Sequence, residues 1–394
     1  MVSALFAVRL CTPLDVIEDG CLLVRDGRVE AVGPRTAVAV PEGAHRLELG
    51  DVWLGPGLLD IHVHGGAGHD VMQNYAAGRA AMEKQMARHG VTGYLATTVS
   101  APMDATLKSL EHLGRDVLAA EEPSAGGGGN GAAGRARPLG IHLEGPFISH
   151  VRRGAHPPEH LLAPSPELLN RMWDAAQGTV RLLTIAAELP GAMETIARAR
   201  QLGIRVSLGH SDADGATTRA AIAAGATQTT HTFNAMPPLE HRASNLLSVA
   251  LSDRRLMAEL ICDGIHVEPE VAAVFFRSKG PEGAILVTDG MSATGMPPGR
   301  YQLGGFQVEV RDGRAMIDEQ TLAGSVLTLD RAVRNAAAFA GWPLPTALRL
   351  ATRNPAQAMG WTGRGQLTAG AAADCIVLDA AGGVLRTFVG GQDG

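Results

Sequence analysis

Two histidines close the apolar stretch Gly57–Gly66, which reads GLLDIHVHGG. Side chains two positions apart in a β-strand point to the same face of the sheet, so His62 and His64 face the same side. Imidazole is a frequent metal ligand, but two histidines at a strand end are equally compatible with solvated side chains. The pair therefore indicates a metal site only if other segments supply further ligands.

Ligand-type side chains also follow other apolar runs of the chain. Glu144 lies at the end of GIHLE, His210 in SLGHS, His231 in TTHTF and Asp289 in LVTDG. In a parallel barrel the carboxyl ends of the strands converge on one mouth, where the active sites of this fold lie. Buried carboxylates beside several imidazoles are costly unless a cation compensates their charge. The pattern therefore predicts a metal centre at that mouth.

The predicted cofactor is a divalent metal ion, with one or two ions per subunit. Nitrogen and carboxylate ligands without a thiolate suit Zn²⁺, Fe²⁺, Co²⁺ and Mn²⁺ alike. Glu144 has the chemistry to ligate or to bridge such ions. Water beside a divalent ion ionises at about neutral pH, and Asp289 has the chemistry to accept its proton.

The elements that must position these residues alternate along the chain. Eight apolar runs, from GLLDIHVHG to AILVTDG, are separated mostly by helix-like segments, two of which end just before Gly90 and Gly203. This alternation predicts an α/β fold, a (β/α)8 TIM barrel over residues 55–359. A doubly wound open sheet is the competing fold, but no GxGxxG motif follows the first strand.

Both ends of the chain read as β structure. Asp26-Gly27 between two short apolar runs is a strong hairpin signal, and the C-terminal runs CIVLDA and VLRTFV are similar in length. We therefore predict a small β-sandwich domain formed from both chain termini, residues 1–54 and 360–394. A further hairpin is expected in YQLGGFQVEVRDGRAMID, followed by helical stretches over 325–341 and 345–359. The Gly-rich segment 125–134 predicts a flexible surface loop.

Composition excludes several classes of protein. The 394-residue chain has a net charge of −6 and no long basic run, which argues against binding nucleic acid. No apolar run reaches the roughly 18 residues that a membrane span needs, so no membrane partner is expected. The four cysteines are scattered, which argues against a disulfide framework. A cytoplasmic protein is the simplest reading.

Together these residues resemble the amidohydrolase superfamily of metal-dependent hydrolases. The start RDGRVEAVG and the end AGAAADCIVLD resemble the small β domain of that superfamily. More narrowly, the chain resembles the N-acetylglucosamine-6-phosphate deacetylase family through seven motifs in the same order, which span nearly the whole chain. They are HLEGPF, RRGAH, SLGHSDA, THTFNAM, CDGIHV, VTDGM and TLAGS.

This resemblance assigns roles to individual residues. It implies Glu144, His210 and His231 as primary metal ligands, Asp289 as catalytic acid and base, and His156 as the contact of the acetyl carbonyl. Some members of the family lack the HxH pair and resemble one-metal enzymes. Here both imidazoles are present, and two ions are as compatible with the sequence as one. A second ion would be held by His62, His64 and Asp289. The implied substrate-binding residues are Ala155, His156, Asn234, Ala235, Arg242, His266, Leu322, Ala323 and Gly324.

The resemblance also implies a reaction and partners. The reaction is deacetylation of N-acetyl-D-glucosamine 6-phosphate to D-glucosamine 6-phosphate and acetate, in amino-sugar catabolism. The expected partners are this phosphorylated amino sugar and a second subunit, with Arg242 gripping phosphate in its own subunit or the partner's. Arg242 is also compatible with plain surface charge, and His266 with a turn cap. The remaining histidines that we considered are expected to be structural or on the surface: His69, His89, His112, His150, His160 and His241.

Three alternatives remain. The chain could act on another amide, such as N-acetylgalactosamine 6-phosphate or a cyclic amide. A dihydroorotase-like enzyme often carries a lysine near the fourth strand, where this chain has Glu188 instead. A barrel without catalysis, used as a binding module, is expected to have lost ligands, and this chain retains them.

Overall fold

The structure is a computed structural model that describes residues 2–13, 15–121 and 134–393. The glycine-rich loop predicted around 125–134 falls almost wholly on residues 122–133 and so lies outside the described residues. The described chain contains a parallel barrel, a mixed sheet built from both termini and a small antiparallel sheet.

The strands are numbered in chain order. They are β1 Val2–Cys11, β2 Val16–Arg25, β3 Arg28–Pro34, β4 His45–Glu48, β5 Trp53–Pro56, β6 Leu58–Val63, β7 Gly65–Gly66, β8 His69–Asp70, β9 Val91–Thr98, β10 Arg137–Glu144, β11 Val180–Ile185, β12 Arg205–Leu208, β13 Gln228–Thr229, β14 Met257–Ile261, β15 Ala284–Val287, β16 Gly299–Leu303, β17 Phe306–Arg311, β18 Arg314–Met316, β19 Cys375–Leu378, β20 Val384–Val389 and β21 Gln392–Asp393.

The α-helices are numbered in the same way. They are α1 Ala76–Arg88, α2 Met103–Glu121, α3 Pro166–Ala175, α4 Ala192–Gln201, α5 Gly215–Ala224, α6 Leu246–Ser252, α7 Pro269–Gly283, α8 Leu329–Ala340, α9 Leu344–Arg349 and α10 Arg353–Met359. Gly90 and Gly203 follow α1 and α4 with φ of 83° and 77°, a conformation that glycine adopts without strain. The bounds of α9 and α10 show that the helical stretch predicted over 345–359 is two helices rather than one.

The barrel confirms the predicted fold class. Its eight strands run in the order β6, β9, β10, β11, β12, β13, β14 and β15, and every neighbouring pair is parallel. Helices connect most of them, as the alternating sequence predicted. The strands are almost wholly buried, and they share one large apolar cluster with the facing sides of the helices. All of their carboxyl ends therefore lie at one mouth.

The first and last barrel strands, β6 and β15, meet at a seam. At its lower end the chain at Leu350 and Ala351 lies between them, because it accepts hydrogen bonds from Leu286 and Leu59 respectively. In the middle, the buried carboxylate of Asp60 accepts a 2.6 Å hydrogen bond from the Thr288 hydroxyl. At the mouth the two strand ends bond directly, since Asp289 N–H donates to the His62 carbonyl at 2.9 Å.

A single mixed sheet confirms that both termini build the small β domain. Its order is β21-β20-β19-β5-β1-β2-β3, with β4 also paired to β1. Asp26 and Gly27 turn the predicted hairpin with φ of 50° and 77°. Alternate residues enter different apolar clusters, such as Leu22 on one face and Leu23 on the other. The boundaries at residues 54/55 and 359/360 stay a prediction.

The hairpin expected after the eighth strand is a three-stranded sheet, β16-β17-β18. Its tip lies at the mouth, where Gly304 N–H donates a 2.6 Å hydrogen bond to the buried carboxylate of Asp70. Leu303 and Val308 bury the sheet against Met291 and Ala323 of the barrel loops. In the part of the chain that the structure describes, no helix is long and apolar enough to span a membrane.

Candidate metal centre

Six predicted ligand residues meet at the mouth of the barrel. Glu144 is the last residue of β10, whereas His210, His231 and Asp289 each lie two residues beyond the end of a strand. His62 and His64 lie at the end of β6. All six side chains are buried. The premise that these distant segments share one rim is therefore met.

The backbone turns sharply at three of these positions. His210, His231 and Asp289 have φ of 48°, 28° and 48°. Positive φ is uncommon outside glycine, although Asp and His adopt it more readily than most residues. The turn takes each chain out of its strand and into its loop, and it leaves the side chain facing the mouth.

The first ligand group consists of Glu144, His210 and His231. The Nε2 atoms of His210 and His231 lie 3.2 and 3.0 Å from Glu144 Oε1, and 3.0 Å from each other. Three such atoms at these separations can surround a single ion. Glu144, His210 and His231 thus have the spacing that a shared ion requires.

The second ligand group consists of His62, His64 and the same Glu144. The Nε2 atoms of His62 and His64 are 3.3 Å apart, and His64 Nε2 lies 3.3 Å from Glu144 Oε2. Asp289 Oδ1 lies 3.1 Å from His64 Nε2. Glu144 therefore belongs to both groups, with Oε1 beside His210, His231 and His62 and Oε2 beside His64.

The far sides of the imidazoles indicate which nitrogens are free to bind a cation. Nδ1 of His210 faces the carbonyl oxygen of Arg152 at 2.9 Å, and Nδ1 of His64 faces that of Thr97 at 3.0 Å. A carbonyl oxygen only accepts, so in the neutral ring each Nδ1 carries the hydrogen and each Nε2 presents a lone pair. Imidazole lone pairs that face carboxylate oxygens form a set of ligands that suits a divalent ion.

The charges of the site are compatible with a bound cation. Burial disfavours charge on His62 and His64, but Glu144 and Asp289 outweigh it, so the pKa of His62 lies well above its usual value and that of His64 rises to about 9. Burial likewise opposes ionisation of Asp289, yet His62 and His64 lower its pKa to about 2. Without an ion, protons on imidazoles supply the positive charge that the carboxylates attract.

His156 lies beside the two groups. It is buried, and its Nε2 lies 3.5 Å from Glu144 Oε2. Its Nδ1 accepts a 3.2 Å hydrogen bond from the backbone N–H of Ser100. Since a backbone N–H only donates, neutral His156 carries its hydrogen on Nε2, toward the site. Arg152, four residues before His156, forms an ion pair with Asp212 at 2.7 Å.

A cavity of about 310 Å³, open to solvent, lies over the ligands. It is lined by most of the predicted substrate-binding residues: Ala155, His156, Asn234, Ala235, His266, Leu322 and Gly324. Asp263 accepts a 2.7 Å hydrogen bond from His266 Nδ1. Two predicted contacts lie elsewhere in this single chain. Ala323 is fully buried behind the lining, and Arg242 is exposed on a loop that does not line the cavity.

Several lining and supporting residues were not predicted. Leu303 and Phe306 reach the cavity from the tip of the three-stranded sheet. Glu259 and His142 are fully buried in the barrel interior, where His142 Nε2 lies 2.8 Å from the Thr184 hydroxyl. The signal for Glu259 was a charged residue inside the apolar run LMAELI, and for His142 a histidine two positions before Glu144.

Comparison with known proteins now adds to this geometry. Residues 53–393 match the model of the amidohydrolase family. The chain belongs to the amidohydrolase family. The match covers the whole barrel and the C-terminal strands of the small domain, and it confirms the resemblance read from the motifs.

Individual amidohydrolases match over almost their full length. The N-acetylglucosamine-6-phosphate deacetylase of Bacillus subtilis (strain 168) is 34% identical over 389 residues, 98% of this chain and 95% of that protein. The N-acetylgalactosamine-6-phosphate deacetylase of Escherichia coli O157:H7 is 36% identical over 393 residues, 100% and 99% of the two chains. Among solved structures, a mutant N-acetyl-D-glucosamine-6-phosphate deacetylase from Mycobacterium smegmatis, in complex with N-acetyl-D-glucosamine-6-phosphate, superposes with a TM-score of 0.90. It is 37% identical and covers 100% of this chain and 99% of that one.

Proposed function

We propose that this amidohydrolase removes the acetyl group from N-acetyl-D-glucosamine 6-phosphate, releasing D-glucosamine 6-phosphate and acetate. The observation that carries the proposal is the convergence of Glu144, His210 and His231 within 3.2 Å of one another. This group lies beneath a cavity whose lining carries the family's motifs. Relatives named for this activity match the chain over nearly its whole length.

The proposed cofactor is one or two divalent ions, from Zn²⁺, Fe²⁺, Co²⁺ and Mn²⁺. Glu144, His210 and His231 would hold one ion, and His62, His64 and Asp289, with Glu144 as the bridge, would hold the second. A bound divalent ion supplies Lewis acidity, which polarises the acyl carbonyl and makes water acidic enough to act as a nucleophile.

Asp289 is the proposed general base and then general acid. Its carboxylate is buried at the ligand groups, with Oδ1 3.1 Å from His64 Nε2, where the ionised form can accept the proton of the attacking water. The same proton then passes to the sugar nitrogen as the C–N bond breaks. Water thus contributes its oxygen to acetate and its protons to the amine and to solvent.

His156 is the proposed donor to the acyl oxygen. Because Ser100 N–H occupies Nδ1, the Nε2–H of the neutral ring is free to donate as negative charge develops on that oxygen. His266, whose Nδ1 bonds to Asp263, presents its Nε2 side to the sugar phosphate, together with Asn234 and Ala235.

Arg242 is the remaining proposed phosphate contact. Its exposed position away from the cavity of its own chain favours a role across a subunit interface. We therefore propose a homodimer as the assembly. The cytoplasm is the proposed location. A guanidinium supplied by the partner can grip phosphate oxygens with two parallel hydrogen bonds.

A second candidate substrate is N-acetylgalactosamine 6-phosphate. It is favoured by the Escherichia coli relative named for that activity, whose 36% identity equals or exceeds that of several relatives named for the glucosamine epimer. The two sugars differ only in the configuration of one hydroxyl, so the metal centre and Asp289 would act in the same way on both.

A coupled assay for acetate tests the proposal. Zinc-loaded protein is incubated with N-acetylglucosamine 6-phosphate, N-acetylgalactosamine 6-phosphate and unphosphorylated N-acetylglucosamine. We expect acetate from the first substrate and very little from the unphosphorylated sugar. Equal rates with and without phosphate, or no acetate from either phosphorylated sugar, would contradict the assignment. Faster release from the galactosamine epimer would favour the second candidate.

A further inference from the structure

Glu259 is a fully buried carboxylate that none of the proposed steps uses. It lies on β14, the seventh barrel strand, and its side chain points into the barrel beneath the ligand groups. Its Oε2 lies 3.2 Å from His62 Nδ1 and accepts a 3.2 Å hydrogen bond from the backbone N–H of His231. Among the described residues, its Oε1 has no hydrogen-bond partner.

The two contacts of Oε2 have different consequences. The N–H of His231 belongs to the main chain, so it anchors the carboxylate and leaves the ligating ring of His231 untouched. The contact with His62 involves the ring itself. The oxygen Oε2, which accepts from the His231 N–H, also accepts from His62, so the hydrogen of neutral His62 lies on Nδ1 and Nε2 keeps a lone pair.

That lone pair is the one that the second ion requires. His62 Nε2 lies 3.3 Å from His64 Nε2 and 3.4 Å from Glu144 Oε1, inside the second ligand group. The alternative tautomer would place a hydrogen on Nε2 and remove His62 from the ligand set. His64 and His210 are fixed by backbone carbonyls, whereas His62 is fixed by a side chain that can be mutated.

We propose that Glu259 is a positioning residue that makes His62 a competent ligand and so determines whether the second ion binds. A carboxylate that accepts from a ligating imidazole fixes the orientation of the ring and raises its basicity, and loss of such a partner weakens metal binding by about 10- to 100-fold. This inference rests on the two-ion centre proposed above and not on the sugar substrate.

Two substitutions of Glu259 distinguish the effect of its hydrogen-bond acceptor from the effect of its negative charge. Glu259→Gln keeps an acceptor oxygen but removes the negative charge, and Glu259→Met removes both at similar length. We expect the second ion to bind about 10-fold more weakly in E259Q and about 100-fold more weakly in E259M. The first ion, at Glu144, His210 and His231, is expected to keep its affinity in both.

The experiment is a calorimetric titration of Zn²⁺ into chelator-stripped full-length protein, with elemental analysis of the loaded samples. His62→Asn, which removes the ligand itself, is the reference for a protein with one ion, and E259M is expected to lie between it and the wild type in its affinity for the second ion. Glu83→Met is the matched control. It removes a buried carboxylate outside the site and is expected to bind two ions like the wild type.

Circular dichroism of each stripped variant shows whether it is folded. If E259M does not fold, E259Q still tests the proposal through its graded loss of the second ion. Wild-type affinity for both ions in E259Q and E259M would overturn it, and so would equal weakening of both ions. The proposal would also be overturned if the wild-type protein bound only one ion, because Glu259 would then have no second ion to control. Acetate release by that one-ion protein would leave the proposed function standing.

Discussion

Two buried carboxylates, Glu83 on helix α1 and Glu144 at the mouth of the barrel, are stabilised in different ways. Glu83, on α1, accepts a 3.0 Å hydrogen bond from the Tyr94 hydroxyl and lies 3.7 and 3.6 Å from the guanidinium groups of Arg79 and Arg135. Glu144, at the mouth, is surrounded by imidazoles. The chain thus supplies permanent cations to Glu83, but only titratable rings to Glu144.

This difference separates a structural cluster from a site that takes a ligand. Burial raises the pKa of Glu83 in spite of its arginines. Burial acts on Glu144 in the same direction, yet the charge on His62 and bonds from the other histidines bring its pKa well below its usual value. A carboxylate that depends on protonated imidazoles is a place where a metal ion can displace protons.

Asp289→Asn is expected to have the largest effect. The amide cannot accept the proton of water, so kcat should fall by about 100- to 10,000-fold. Zinc content, measured by elemental analysis, should remain at one ion or more, because Glu144, His210 and His231 are unchanged. Glu83→Gln is the control and should retain activity. A zinc-loaded D289N protein with normal turnover would refute the role of Asp289.

Removal of the ion should lower the free energy of unfolding by more than removal of the Glu83 charge does. A ligand present at a thousand times its Kd stabilises the folded state by about 4 kcal/mol. We therefore expect chelation to lower the free energy of unfolding by that order and to abolish acetate release, with both restored by Zn²⁺. Chemical denaturation with and without chelator measures the difference, and unchanged stability would show that no ion is held.

The ion-free protein should lose stability as the pH rises. The pKa of His64 is about 9 in the folded chain and 6.5 as the ordinary value. A raised pKa contributes stability that is complete below pH 6.5 and is lost as the pH passes through 9. The thermal midpoint of chelated protein should therefore fall across this range, whereas that of zinc-loaded protein should fall much less. Parallel curves would contradict the charge assignment.

Glu83→Gln should have the smallest effect and sharpens the comparison. The amide removes the negative charge beside the guanidinium groups of Arg79 and Arg135, although Arg79 keeps its ion pair with Asp116, so the free energy of unfolding should fall by about 1–3 kcal/mol. Its zinc stoichiometry should equal that of the wild type. Glu144→Gln is the counterpart, and it should lose zinc. If both variants lost zinc, the two carboxylates would not be separable into structural and ligand-binding roles.

Sequence reasoning predicted most of the barrel because its signals are local. Each strand is a short apolar run, and the ends of parallel strands must converge, so the sequence alone predicts Glu144 and Asp289 at one mouth. The same rule overlooked Glu259, which lies within a strand rather than at its end. It also overlooked Ser100, whose backbone N–H and hydroxyl both contact Nδ1 of His156, because no local pattern links that serine to a histidine 56 residues later.

Other differences depend on contacts between distant parts of the chain. Leu303 and Phe306 line the cavity because the tip of the three-stranded sheet is tied to Asp70, more than two hundred residues away. No periodicity within the hairpin could indicate that contact. The position of Arg242 relative to a phosphate depends on a second chain, which the sequence of one chain does not orient.

The seam of the barrel gives the metal ligands a mechanical meaning. His62 and His64 belong to the strand that opens the barrel, and Asp289 follows the strand that closes it. An ion shared by these side chains would link the first barrel strand, β6, to the loop that follows the last one, β15. The ion would then add a second link to the Asp289–His62 backbone hydrogen bond at the mouth, so the same ligands would serve both the chemistry and the closure of the barrel.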